Sequence, residues 1–532
     1  YPMCSRMDTT TLTPHPIRLL LLALAFAANA AFADTRWMWF TDERPNAQAL
    51  EAIGILQAAA TEGLEPQDYD AVALSRAVHQ AQQSAPATAL ARMQLDAAIT
   101  SAMQQYLSDL QIGRIEPRLI HANFAATRRD TSTLADYLRS AVEGRRLNDA
   151  VQQIASQLPM ARPLRAALAN YRALEPDTQW QTPLPLPDRG KLEPGQQYQA
   201  LGELVRRLQV LGDLDPVAPI TSRYEGPLVS ALERFQQRHG LDQDGVLGRL
   251  TLAQLNVTPG QRARQIALTL ERLRWTPYLQ AARMVVDNLP EFMLRAYEVD
   301  QGRMHIRLAM KIIVGKALDT RTPLFDEDMR YIEFSPYWNV PRSIATKELV
   351  PRLRKDPAHF SDQGFEFVTR QGSVVGTLSA ENLDAVMSGQ WRIRQRPGPK
   401  NALGDIKFIF PNNANIFLHH TPAVRLFSRT RRDFSHGCIR VEEPVALARF
   451  ILRDESDWTE DRIREAMELG TSSTIRLKQP LPVLIAYSTV VVKQDMVHFL
   501  ADLYGHDALL DQALRTRSAA RAKARLNVSD IR

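Results

Sequence analysis

Apolar residues recur every three or four positions through the first third of this chain. Leu95, Ile99, Met103, Tyr106 or Leu107, and Leu110 fall on one helical face. The pattern predicts helices over 44 to about 173, broken at Gly63-Leu64-Glu65-Pro66 and at Gly113-Arg114-Ile115-Glu116-Pro117. Pro176, Pro183, Pro185, Pro187 and Pro194 then predict an extended linker or a loop lying over a surface. Three short helices follow between 201 and 257. Leu204, Leu208 and Leu211 share a face before Gly212; Val229, Leu232 and Phe235 share one before Gly240; Gly245 and Gly248 turn the chain into the third. Another helix spans about 261–273. Beyond it the period becomes that of strands, over 284–287, 291–298 and 306–314, with turns at Asn288-Leu289-Pro290 and Asp300-Gln301-Gly302. Further strands are expected at 330–334, 406–410 and 415–419. The stretch from 343 to about 394 turns helical and irregular again, which describes either a lid over a site or an inert surface loop. Helices fit from Pro444 and over 460–469, a strand over 483–492, and the arginine-rich tail from Asp507 reads as a solvated, frayed helix. The fold class these segments describe is multidomain α+β.

A chain of 532 residues is too long for one ordinary core, so two to four domains are expected. The formal charge of +6 suits an anionic wall polymer, nucleic acid or plain solubility equally, and selects none of them. The first residues carry more information. Arg6 and Arg18 flank a short polar stretch, 19–28 is apolar, and Ala31-Phe32-Ala33 is a small-x-small cleavage site. This reads as an export leader over 1–33, with an uncleaved membrane anchor as the alternative; the apolar run is short of the roughly 20 residues a spanning helix needs. Cleavage would remove Cys4 and leave Cys438 as one thiol with no intramolecular partner.

Cys438 lies in Phe434-Ser435-His436-Gly437-Cys438-Ile439-Arg440-Val441, a polar turn and not a core strand, and fifteen residues separate Ser435 from an upstream His419. A thiol becomes a strong nucleophile once a base or a positive field helps it ionise. His419 offers the base and Arg440 part of the field, while Gly437 allows a sharp turn that could aim backbone N–H groups at an oxyanion. His419, His420, His436 and Cys438 also offer zinc ligands, but His-x-Cys is poor geometry on one turn and no second thiolate exists, so no metal is expected. A papain-like site is weakened by chain order, because His419 precedes Cys438. Asp242-Gln243-Asp244-Gly245 lacks the remaining ligands of a calcium loop.

His, about fifteen residues, then Ser-His-Gly-Cys, an apolar residue and Arg resembles the signature of the L,D-transpeptidases with a YkuD-type catalytic domain. Phe235, Gln236, Gly240, Leu241, Asp244, Gly245, Gly248 and Thr251 match the wording of a three-helix peptidoglycan-binding module. The runs at 62–69 and 109–117 resemble the helical scaffold of the larger, YcbB-like members. The resemblance divides the chain into a scaffold over 34–173, a proline-rich linker over 174–200, the binding module over 201–257, and a bridge helix within 258–280. A mostly-β catalytic domain follows over 281–482 with a lid insertion at about 343–394, then a C-terminal strand and helical tail over 483–532. It implies a periplasmic enzyme with Cys438 as nucleophile, His419 as general acid/base and Gly437 in an oxyanion loop. Ser435, His436 and Arg440 would shape the site, or Arg440 would hold a substrate carboxylate. Tyr337, Trp338 and Asn339 would lie beside the substrate groove. Arg396-Pro397-Gly398-Pro399 and Asn401-Ala402-Leu403-Gly404 would form the turn leading into the site. The implied reaction is 3→3 cross-linking of peptidoglycan through a cysteine thioester, with release of D-Ala and no cofactor. Implied partners are stem peptides and glycan, carbapenem-type inhibitors and penicillin-binding proteins; nucleic acid is not among them, and a membrane is one only if the leader is uncut. An L,D-carboxypeptidase or a protein-to-wall attachment enzyme would use the same cysteine, and a wall-binding scaffold with an idle catalytic domain would use none of it.

Overall fold

In a computed structural model of the chain, residues 37–529 are described except 87, 125–132, 156–157, 219–221, 277–280 and 319. The leader expected over 1–33 lies outside the described residues.

The first body is helical: α1 (Ala47–Gln57), α2 (Ala71–Gln83), α3 (Ala89–Ile112), α4 (Leu134–Glu143), α5 (Leu147–Ile154) and α6 (Ala161–Ala173). Ile99, Met103, Tyr106, Leu107 and Leu110 of α3 are buried, so the spacing read from the sequence marks its packed face. The proline-rich stretch is not free chain. Leu184, Leu192 and Tyr198 are buried in the core of the next unit, with α7 (Leu201–Val210), α8 (Pro227–Arg238) and α9 (Arg249–Leu255). The turn containing Asp244 is structural: its Oδ1 accepts from Gln236 Nε2 at 2.7 Å and from the Val246 N–H at 2.9 Å.

α10 (Pro259–Leu273) is the bridge. Thr258 and Gln261 form a reciprocal capping box at its start, with Pro259 in its first turn. Most of its side chains are buried, as befits a helix packed on several sides. It lies against α6 and the C-terminal helix. Glu271 on α10 has no exposure, and its Oε1 accepts the Ile115 N–H at 3.1 Å while Oε2 accepts Arg114 Nε at 3.1 Å. Burial alone would raise its pKa, but the Arg114 and Arg274 charges and the Arg114 backbone N–H hold the carboxyl below its usual range.

The region after α10 is built on a nine-stranded sheet. Its strands are β1 (Arg283–Asn288), β2 (Met293–Asp300), β3 (Arg303–Gly315), β4 (Phe325–Phe334), β9 (Ile406–Ile409), β10 (Leu418–His419), β11 (Asp433–Ser435), β12 (Ile439–Val441) and β13 (Ser473–Ala486). The order is β11-β3-β12-β10-β9-β4-β13-β1-β2, and β2 also pairs with β3, so the sheet closes on itself. The expected strand at 483–492 is really two. Val483–Ala486 ends β13, inside the main sheet between β4 and β1, and Val490–Lys493 (β14) forms a separate hairpin with Met496–Phe499 (β15). The strand expected at 415–419 is reduced to its last two residues, because Asn415 takes a positive φ of 54° and Asn412 folds back to bond Ile416.

The insertion after β4 is more regular than its sequence suggests. β5 (Trp338–Asn339), β6 (Phe365–Val368), β7 (Val374–Val375) and β8 (Arg392–Gln395) make a second sheet of four strands with its own apolar core around Leu353, Phe360, Phe367 and Ile393. Asn401 pins both stems of this cap: its Nδ2 donates to the Pro336 carbonyl at 3.0 Å and to the Arg396 carbonyl at 2.9 Å.

The tail expected to be solvated is docked. Over α11 (His506–Ser529), Leu510 and Leu514 are buried, Arg517 bonds Asp109 at 2.6 Å, and Ser518 bonds Asp68 at 2.7 Å. The difference has a physical cause: buried Leu510 and Leu514, set among many charged residues, give little helical stripe, yet Arg517 and Ser518 find partners on the scaffold.

Glu271→Ala leaves Arg114 buried without its partner and is expected to destabilise the protein by about 3–5 kcal/mol, read as a lower urea midpoint. A carboxyl held below its unfolded pKa stabilises fully above that value, and the contribution is lost as pH falls through the folded one. The wild type should therefore lose stability below about pH 4 with a steeper slope than Glu271→Gln, which keeps the share due to other lowered carboxyls such as Glu291.

Candidate active site

Strand alternation sets the site. On one face of the sheet Ile332, Phe408, Leu418, Ile439 and Val314 sit in the core. One residue along, on the opposite face, the registers align Glu333 with Lys407, Lys407 with His419, His419 with Arg440, and Arg440 with Ile313. β10 and β12 run parallel with Leu418 opposite Ile439, so Cys438 is opposite Phe417 and diagonal to His419 on that polar face. Diagonal neighbours are about 7–8 Å apart at Cα, within reach of an imidazole and a thiol. The structure thus gathers Cys438, His419 and Arg440 on adjacent strands.

The turn that presents Cys438 is held from inside. Ser435 Oγ accepts the Gly437 N–H at 3.1 Å and donates to the Cys438 carbonyl at 2.6 Å. Gly437 has a φ of +117°, a conformation glycine adopts without strain. Its own N–H is spent on Ser435 Oγ. The segment after β3, which sequence reading passed over, clamps the same turn. Thr320 Oγ1 donates to the Ser435 carbonyl at 3.0 Å. Thr322 Oγ1 donates to the Gly437 carbonyl at 2.7 Å and accepts the Gly315 N–H at 2.9 Å. A side chain on Gly315 would stand 1.9 Å from the Thr320 carbonyl, so this approach requires glycine. Tyr504 adds a bond from its hydroxyl to the Gly315 carbonyl at 2.7 Å. The local signal for these residues was thin: Thr and Gly in a loop a hundred residues away.

His419 is 4% exposed and its Nδ1 faces the His420 carbonyl, which favours the neutral tautomer protonated at Nδ1. Burial, aided by the Arg440 charge, lowers its pKa to about 3, against the pull of the His420 and Leu403 backbones. Burial raises the Cys438 thiol, partly countered by the Phe417 backbone, Lys407 and Arg440. The resting pair is a neutral thiol and a neutral imidazole. The Arg440 guanidinium is half-buried, and its Nε has no hydrogen-bond partner among the described residues. His420 turns to Asp405, with Nδ1 at 3.2 Å from the carboxylate. Gly404 makes room for it, since a Cβ there would lie 2.5 Å from that nitrogen.

His436 points to the cap, with Nε2 at 2.8 Å from Glu348 Oε1, and so joins the signature turn to the insertion. Trp338 and Asn339 form β5, in the cap sheet and not along the catalytic strands. Trp338 is half-buried and packs near Phe365 against the cap core. The Tyr337 ring is covered by Arg394, 4.1 Å from its centroid, and Asn339 is exposed. Among the described residues, no group of three or more His, Cys, Asp or Glu side chains is placed to hold a metal ion.

With this geometry in place, comparison with known proteins is specific. Residues 282–483 match the family model for the L,D-transpeptidase catalytic domain, YkuD. The chain carries an L,D-transpeptidase catalytic domain. Residues 31–168 match a scaffold domain, and 197–255 match a family described as "Putative peptidoglycan binding domain". A Haemophilus influenzae protein described as "Putative L,D-transpeptidase" is 29% identical over 250 residues, 47% of this chain and 49% of that relative. The chain thus spans about half the length of the curated relative it matches. An L,D-transpeptidase structure from Stackebrandtia nassauensis aligns at 13% identity over 55% of this chain and 94% of its own, with a TM-score of 0.19. One from Xylanimonas cellulosilytica aligns at 14% identity over 57% and 100%, with a TM-score of 0.16. Scores this low carry no weight for the fold.

Two outcomes are expected of this L,D-transpeptidase domain. Alkylation of Cys438 by iodoacetamide should keep accelerating as pH rises past about 8.5, with no inflection near the usual histidine pKa of about 6.5; an inflection there would reveal a thiolate–imidazolium pair instead. Thr322→Val removes both bonds of its hydroxyl, a loss of about 1–3 kcal/mol, and should slow that alkylation without unfolding the protein by circular dichroism.

Proposed function

We propose that the protein is an L,D-transpeptidase that joins peptidoglycan stems by 3→3 cross-links. The observation that carries this reading is the placement of Cys438 diagonal to a buried, neutral His419 on one face of the YkuD-type sheet. In the first step Cys438 gives its proton to His419 Nε2 as sulfur attacks the carbonyl between the third stem residue and its terminal D-Ala. A histidine of low pKa does not hold a proton well, so ionisation and attack proceed together and no thiolate accumulates. The amide C–N bond breaks, the imidazolium protonates the departing amine, and a thioester remains on Cys438. The side-chain amine of a second stem then attacks the thioester, its proton passes to His419, and sulfur leaves as the thiolate and recovers that proton. The Cys438 N–H serves the tetrahedral oxyanion.

The cap supports a site that closes over a peptide, since the His436–Glu348 contact joins it to the catalytic turn. The module over 197–255 supports a wall polymer as the partner. This reading places the protein outside the cytoplasm, where stem peptides are found, and makes Cys438 acylable by carbapenem-type β-lactams.

The test is mass spectrometry after incubation with disaccharide-tetrapeptide and, separately, with a carbapenem. Cross-linked dimers, an adduct on Cys438 and neither on Cys438→Ala are the expected result. Tripeptide product without dimers would assign water as the acceptor and make the enzyme a carboxypeptidase. A wild type that forms neither adduct nor product would leave a wall-binding protein with an idle domain.

A further inference from the structure

The polar row of the sheet holds a second cation that the signature does not include. Lys407 lies on β9, with His419 as its partner on β10, and Arg440 follows His419 on β12. Strands are about 4.8 Å apart, so Lys407 and Arg440 bracket the histidine at about 10 Å from each other at Cα. The Lys407 side chain is 19% exposed, and its ammonium sits 4.2 Å from the centre of the Phe417 ring, the residue opposite Cys438. One carboxylate faces it, Glu333 at 3.5 Å, which is itself shared with Ser472 Oγ at 3.3 Å. An ammonium has three N–H donors, and a partner at that distance with a ring beneath it leaves donor capacity unused.

Direction across the sheet decides what this capacity is for. The reacting carbonyl stands over Cys438 beside β12. The leaving amine must stand over His419, on β10, to receive its proton. A further step the same way reaches β9 and Lys407. In a stem cut at its last peptide bond, the group that lies one step beyond the leaving amine is the chain's terminal carboxylate. We propose that Lys407 is a specificity-determining residue that binds the terminal carboxylate of the leaving D-amino acid. It thereby selects stems that end one residue after the attacked carbonyl. In a stem longer by one residue, that carboxylate moves outward by up to about 3.5 Å and misses the ammonium. The charge has a second consequence in the same place: Lys407 and Arg440 both pull the Cys438 thiol toward its ionised form. This inference rests on the transpeptidase reading for the order of carbonyl, amine and carboxylate.

The experiment separates binding from turnover. Cys438→Ala protein is titrated by calorimetry with the stem tetrapeptide as the free acid and as its C-terminal carboxamide. The free acid is expected to bind about ten-fold more tightly, the size of one charge-assisted hydrogen bond. Adding Lys407→Met should remove the preference by weakening the acid alone, and Lys407→Arg should restore most of it. With Cys438 present, Lys407→Met should raise KM for the free acid and leave KM for the carboxamide unchanged, while any change in kcat from loss of the charge near the thiol is shared by both. An acid preference that survives Lys407→Met, or no preference with Lys407 in place, overturns the assignment. A fall in kcat alone, equal for acid and amide, also overturns it and leaves Lys407 as a group that only tunes the thiol. A Lys407-dependent preference in the Cys438→Ala protein, with no D-Ala released by the wild type, would sink the transpeptidase reading and keep the carboxylate site.

Discussion

A carboxylate shut away from water must be met by positive charge or hydrogen-bond donors, and Glu271 is met by both. It stands on the bridge helix, but its donors come from the loop that closes the scaffold's longest helix. That one requirement fixes the scaffold against the bridge. The bridge in turn packs beside β14 and the C-terminal helix, and the three-helix module reaches the same region through His239, stacked on Phe499. Arg262 and Tyr171 also pack on Phe499. The catalytic sheet therefore sits in a frame that its own core does not supply.

Within that frame the chemistry depends on parity. A one-residue slip between β10 and β12 would send His419 and Arg440 into the core and bring Leu418 and Ile439 out. Large apolar side chains on alternate positions forbid the slip. The core thus does more than stabilise: it decides which face carries His419 and Cys438. The inner bonds of the 435–438 turn complete the work by making the turn rigid, so that the sulfur is aimed by backbone geometry and not by a mobile side chain.

The sequence revealed what is local or periodic. The helical face of α3, the glycine turns of the three-helix module and the spacing of His419 from Cys438 all lie in short stretches where period or chemistry is dense. It concealed what depends on distant partners. Thr320, Thr322 and Tyr504 brace the cysteine turn from elsewhere in the chain, and no local pattern marks them. Lys407 reads as an ordinary strand residue until its register with His419 is known. Trp338 reads as an aromatic in a short run; that it pairs into a cap sheet of very short strands appears only in the fold. Asn401 sits in a turn that the sequence did mark, but its two bonds to the cap stems appear only in three dimensions.

The docked C-terminal helix sets the order in which such a chain can finish folding. Ser518 and Asp68 are separated by 450 residues, and Arg517 and Asp109 by 408. Each body has enough local contact to form early, whereas these two bonds join parts of the chain that are far apart in sequence. Lengthening so large a loop further adds little entropy, since each doubling costs only about 0.6 kcal/mol. The cost of that separation is therefore one of time more than of stability. Until this helix docks, Asp68 lacks Ser518 and Asp109 lacks Arg517, and that side of the scaffold stays open to other basic surfaces.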